Sequence, residues 1–178
     1  MSRLKGFAAY EGMDPVPISA SALQLLCKEH CKIRRELDDI LKLSLIIEKK
    51  KCQQLISSWL DRGIKLKDEW SKHILKEEAA LLSSLAKYVD SDKGPLAVMR
   101  FEHEQMHKEI NRTVEAMQQL VEHQEPTAWN RAMDHLTTLY ELSGQHCRKE
   151  ETVIFSTVEN MLTSREKQRL LRHMKLFQ

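Results

Sequence analysis

The chain of 178 residues is long enough for one domain with a substantial core. Its net charge of +2, with Lys and Arg spread along its length, offers no basic stripe of the kind that tracks a nucleic-acid backbone. No apolar run is long enough to cross a membrane, and residues 1–10 lack the apolar core of a signal peptide, so a cytoplasmic protein is expected.

Five Gly and four Pro, against abundant Leu, Lys, Glu, Ala and Met, predict long uninterrupted helices. Residues 1–18 carry Gly6, Gly12, Pro15 and Pro17 without a helical period and read as an N-terminal arm outside the main body. Ser19 or Ser21 is placed to cap a first helix. Leu23, Leu26, His30, Ile33, Leu37, Ile40 and Ser44 then recur by three and four as an inward seam, ending near Leu45–Lys49. A second helix is expected from about Lys50 to Tyr88, with the seam Ile56, Trp59, Gly63, Leu66, Trp70, His73, Glu77, Ala80. On that seam the small Gly63 can admit a bulky neighbour. Residues 90–95 form a turn by composition, and Pro95 suits a first helical position.

The third helix presents Leu96, Met99, His103, His107, Ile110, Val114, Met117 and Val121 on one face. Thr127 is expected to cap a fourth, whose seam is Trp129, Ala132, Leu136, Leu139, Ser143, His146, Glu150, Val153. Thr163-Ser164-Arg165-Glu166 is a capping box opening a short tail helix through Leu176. The expectation is an all-α, up-down-up-down four-helix bundle over residues 19–162, with the arm before it and the tail helix, 163–178, after it.

One stretch recurs. His73-Ile74-Leu75-Lys76-Glu77-Glu78 reappears in form as His146-Cys147-Arg148-Lys149-Glu150-Glu151, and between the copies lies Glu102-His103-Glu104-Gln105-Met106-His107. Helical residues four apart share a face, so each His/Glu pair aims one way, as do His103 and His107. A lone pair of this kind is usually a solvated charged face. Counted from the helix ends at about 1.5 Å per residue, however, His30, His73/Glu77, His103/His107 and His146/Glu150 fall within roughly one turn of a common layer. Independent surface pairs have no reason to agree. Five histidines (His30, His73, His103, His107, His146) with two carboxylates (Glu77, Glu150) form a first-row transition-metal donor set. Seven donors suggest two metals. Two carboxylates offset only half the charge of two divalent ions, so an oxo or hydroxo bridge is expected, which favours two non-haem irons over zinc. His123, His135 and His173 lie off the seams and are expected at the surface.

The four cysteines, Cys27, Cys31, Cys52 and Cys147, fit no disulfide framework in so helical a chain and read as reduced thiols. Cys27 and Cys31 flank His30, but no second Cys/His pair at ligand spacing joins them, which argues against a zinc site.

At His30-x-x-Ile33-Arg34-x-x-Leu37, the two His/Glu repeats and His103/His107, the sequence resembles the hemerythrin family in its broad HHE cation-binding branch, over roughly Leu23–Met161. That resemblance maps the family's seven ligands onto the seven donors named, with Glu77 and Glu150 as bridges. Oxygen-carrying members have an Asp five residues after the last histidine. Position 151 here is Glu, and Glu150 follows the His-x3-Glu form of the HHE branch. Geometry agrees, since Glu150 shares the face of His146 whereas Glu151 is rotated by about 100°. The branch includes oxygen binding, iron sensing and repair of damaged iron centres. The expected function is therefore binding of a small ligand such as O2, NO or peroxide at a di-iron centre. A di-iron redox enzyme of peroxide or NO defence or iron-centre repair, and a structural or iron-sensing bundle, are the alternatives. No general base or nucleophile stands outside the ligand set, so binding is favoured over turnover, and no protein partner is indicated.

Overall fold

The computed structural model describes residues 21–50, 52–123 and 125–177; the expected arm, residues 1–18, lies outside the described residues. Helix α1, Ala22–Lys50, buries Ala22, Leu23, Leu26, His30, Ile33, Leu37, Ile40, Ser44 and Ile47, the seam read from the sequence with one further residue at each end. It ends on Lys49 and Lys50, cations that suit the negative end of a helix dipole. The Ser21 hydroxyl, a candidate cap, has no hydrogen-bond partner.

After Cys52 in extended conformation, α2 runs from Gln53 to Lys76 and continues through a π-helical segment, Glu77–Leu82, into a last turn, Ser83–Leu85. The helix passes through Gly63, where a Cβ would sit 2.7 Å from Met117 Sδ. The glycine therefore makes room for α3, at the usual cost in helix propensity. Helix α3, Gly94–His123, starts at a Gly with φ +66°, a left-handed conformation that a side chain would disfavour. Helix α4, Pro126–Lys149, has Glu125 rather than Thr127 at its N-cap, because Pro126 takes the first helical position and moves the boundary back. A second π-helical segment, Glu150–Ile154, leads into a final stretch, Phe155–Met161. Thr163 and Glu166 form the expected capping box, and α5, Ser164–Met174, follows, closed by a 3-10 turn, Lys175–Phe177.

The long helices pack in a ring, α1 on α2, α2 on α3, α3 on α4 and α4 on α1, and short connections make sequential neighbours antiparallel. This is the expected all-α bundle. Helix α5 lies across α1 and the first π segment, and its closing turn touches α2. The interior is divided along the axis. One apolar cluster holds Ile33, Leu37, Trp59, Leu66, Met106, Ile110, Leu136 and Leu139. The other holds Leu23, Leu26, Leu81, Leu85, Met99, Ile154, Phe155, Leu170 and Met174. Full burial of one such side chain is worth about 1.5–3 kcal/mol, so the two clusters carry the fold. On every long helix the inward histidine falls between them in sequence, which places a polar layer where the apolar core is interrupted. Among the described residues no helix is long and apolar enough to cross a membrane.

Candidate metal centre

Each long helix contributes one buried histidine to that layer: His30 from α1, His73 from α2, His103 from α3 and His146 from α4. They meet as two pairs. His30 and His73 have ring centroids 4.8 Å apart, and His103 and His146 are also 4.8 Å apart. Glu77 and Glu150, both buried, complete the layer. Glu77 divides its carboxylate between the pairs. Its Oε1 lies 2.7 Å from His73 Nε2 and 3.4 Å from His30 Nε2. Its Oε2 lies 3.0 Å from His103 Nε2 and 3.7 Å from His146 Nε2. Glu150 Oε2 lies 2.9 Å from His30 Nε2. The donor atoms of His30, His73, Glu77 and Glu150 fall within 4.8 Å of one another, as do those of Glu77, His103 and His146.

Both carboxylates stand at the first residue of a π segment. The wider i→i+5 turn is costly and recurs at functional sites. It also shifts the inward face, so Ile154 is buried and the expected seam residue Val153 is 45% exposed.

Six of the seven sequence-derived donors are thus brought together, and His107 is not among them. It is half-buried, one turn beyond His103, and burial together with the neighbouring His103 lowers its pKa. Trp70, Met99 and Met106 are buried as expected, His123 is exposed, and His135 is partly exposed with its Nδ1 2.8 Å from Glu109. All four cysteines are free, and no Cys joins a candidate cation cluster among the described residues.

A second layer went unread in the sequence. Every inward histidine turns its Nδ1 outward to a carboxylate. His30 reaches Glu151 at 2.9 Å, His73 reaches Glu29 at 2.9 Å, His103 reaches Glu78 at 2.9 Å and His146 reaches Glu102 at 3.2 Å. An Nδ1–H donated outward leaves the Nε2 lone pair facing inward, the arrangement that orients histidines on metals. Cations hold three of these carboxylates in turn: Lys76 on Glu29, Lys149 on Glu102, and Arg34 on Glu151 at 3.4 Å. A signal for this layer existed. Glu29-His30 and Glu102-His103 are separated by the same interval as the two His-x-x-Lys-Glu-Glu stretches. The pairs Glu29/His73 and Glu102/His146 both span 44 residues, and Glu29/Lys76 and Glu102/Lys149 both span 47. The centre is an internal duplication, each helical hairpin supplying one copy.

Electrostatics follow from the packing. Burial alone would lower the histidines, but carboxylates hold His73, His103 and His146 up, the latter two to about 9, and Cys147 ahead of Glu150 does the same for His30. Burial would raise Glu77, yet four surrounding imidazoles keep it well below the usual carboxylate range. Glu150 is raised, by burial first and by the adjacent Glu77 second.

The residues fit a metal. His73, His103 and His146 Nε2, Glu77 Oε2 and both Glu150 oxygens are buried without hydrogen-bond partners, although His103 Nε2 and Glu77 Oε2 lie 3.0 Å apart. Buried polar atoms are ordinarily paired, and six unpaired atoms converging on one layer are satisfied by a shared cation.

Nitrogen and carboxylate donors facing inward from all four helices define a metal-binding helical bundle. The chain belongs to the hemerythrin family: the Hemerythrin HHE cation binding domain matches residues 21–158. No curated protein and no solved structure gave a match.

Proposed function

We propose that the chain is a cytoplasmic non-haem di-iron protein that binds O2 or a similar small oxidant. The observation that carries this reading is the division of Glu77. Each oxygen faces a different histidine pair, the disposition of a carboxylate shared by two metals rather than chelating one. His30 and His73 would hold one iron and His103 and His146 the other, with Glu77 between them and Glu150 beside the first pair. Two irons supply reversible electron donation to a small oxidant. The chain's own residues hold the imidazoles in one tautomer, keep the layer dry with Trp70, Met99 and Met106, and balance its charge.

That balance differs from the one drawn from sequence. Six carboxylates (Glu29, Glu77, Glu78, Glu102, Glu150, Glu151) stand against three paired cations (Arg34, Lys76, Lys149), three net negative charges with neutral imidazoles. Two divalent ions bring four positive charges. The outer layer therefore supplies a net one of the two negative charges assigned above to an oxo or hydroxo bridge.

Without His107 the ligand set is four histidines and two carboxylates, so each iron keeps positions open for a small ligand. The test is anaerobic loading followed by metal analysis and spectroscopy in air and under vacuum. The expected result is two irons per chain and a visible spectrum that forms in air and reverses under vacuum. Steady consumption of peroxide or NO would assign an enzyme instead, and one tightly held zinc would overturn the reading.

A further inference from the structure

Resting on that dinuclear reading, we infer that the two metal positions are unequal: the His103/His146 position exchanges its metal while the His30/His73 position retains it. Four features break the duplication in one direction. His30 and His73 have both Glu77 and Glu150 within the 4.8 Å group, whereas His103 and His146 have Glu77 alone. Fewer donors hold a cation less tightly.

The outer carboxylates differ next. Glu151 behind His30 is paired with Arg34, while Glu78 behind His103 has no ion pair with a cationic side chain among the described residues beyond His103 itself. The residue at the place of Arg34 in the second copy is His107, which lacks the fixed charge and bidentate fork of an arginine.

Cover differs most. Lys76, bonded to Glu29, has a side chain only 5% exposed, and its counterpart Lys149 is 46% exposed. Helix α5 explains this, because it lies over α1 and the first π segment and has no equivalent over α3 and the second among the described residues. Ala80 is accordingly fully buried while its counterpart Val153 is 45% exposed, beside Val98 at 44% and Phe101 at 61%. Water and chelators therefore reach Lys149 and Glu78 of the second pair more readily than Lys76 and Glu151 of the first, and the hydrogen bond that orients His103 competes with solvent.

The full-length chain is loaded anaerobically with Fe(II), freed of excess metal and challenged with a ferrous chelator while released iron is followed in time. Half of the iron should leave about tenfold or more faster than the rest, the range in which outer-layer partners act on metal affinity. Arg34→Gln, and separately Lys76→Met, should speed the slow half; Lys149→Gln should speed only the fast half. Far-UV circular dichroism of the apo-variants verifies that each remains helical, and the two slow-half variants act through different helices. Release in a single phase, or a slow half that responds to Lys149→Gln and not to Arg34→Gln, overturns the inference. Loading that stops at one iron per chain is seen before the challenge, and overturns the dinuclear reading and this inference with it.

Discussion

The two helical hairpins carry the same inward donors and repeat Glu29 and Lys76 as Glu102 and Lys149, but they differ in what covers them. In the first, α1 and α2, the histidines lie beneath α5, which buries Leu170 and Met174 against Leu23, Leu26 and the first π segment. In the second, α3 and α4, the corresponding face ends in Val98, Phe101 and Val153 with nothing of this kind over them among the described residues. The inward donors recur in both copies, whereas the outer layers follow the packing of each hairpin. The centre is a duplicated core inside an asymmetric shell.

The largest expected effect falls where the copies share a residue. Glu77 touches all four imidazoles and Glu150 lies close to His30 only. Glu77→Gln should therefore abolish loading at both positions, with apo-protein stability also lowered because buried protonated histidines lose their counter-charge, a loss of about 3–5 kcal/mol. Glu150→Gln should lose most of one or both irons. Glu151→Gln, which removes only the outward partner of His30, should still load two. Metal analysis with thermal denaturation of each apo-variant checks the order, and equal losses in Glu151→Gln and Glu150→Gln would show that the helical phase assigned to these neighbours is wrong.

Next in size is the shell itself. Met174 is fully buried under the bundle, and Met174→Ala should cost about 2–5 kcal/mol, the range for deleting a buried side chain. Val153→Ala, at the uncovered counterpart of a buried residue, should stay within about 0.5 kcal/mol. Chemical denaturation of the apo-proteins measures both. A large loss from Val153→Ala would mean that this face is packed in solution.

A smaller effect is tied to pH. His103 and His146 are held protonated up to about 9 against an ordinary value of 6.5. A raised histidine contributes stability that is complete below its unfolded value and is lost as pH rises through the folded one. The metal-free protein should therefore lose thermal stability between about pH 6.5 and pH 9.5. Metal replaces those protons, so the loaded protein should show a flatter profile and release protons on loading near pH 7. Thermal scans with and without excess chelator measure this; a metal-free profile that rises over the same range would contradict it.

Much of this was legible in the sequence because a buried stripe recurring every three or four residues is the strongest local signal a helix emits. The seams of α1 and α2 were read almost residue for residue, and the common height of the four His-bearing turns followed from counting along them. What escaped reading has physical causes. Val153 was assigned inward by a constant α-helical period, which the π segment at Glu150 breaks. Thr127 was taken as the cap because Thr is a strong one, but Pro126 set the boundary. The outer carboxylates Glu29, Glu78 and Glu102 look like ordinary surface charge in sequence, since their role depends on a partner helix at a distance of 25 to 44 residues.

His107 is the one sequence-derived donor outside both buried groups, and it carries the smallest expected effect. It sits four residues after His103, and that spacing suggested a shared face. The duplication explains its place better: the first copy has Arg34 there, whose guanidinium reaches Glu151 rather than the inward layer. His107 lies near Glu78 in the same sense, its charge one of the smaller influences that lower that carboxylate. If this equivalence holds, His107→Ala should leave two irons per chain and change apo-protein stability by less than about 0.5 kcal/mol, as a half-buried residue outside the core does. His107→Arg, which restores the first copy's residue at the second, should slow release of the faster iron. Metal content alone separates the possibilities, because a chain that loads only one iron in His107→Ala has His107 as a ligand, and the second pair is then not short of a donor relative to the first.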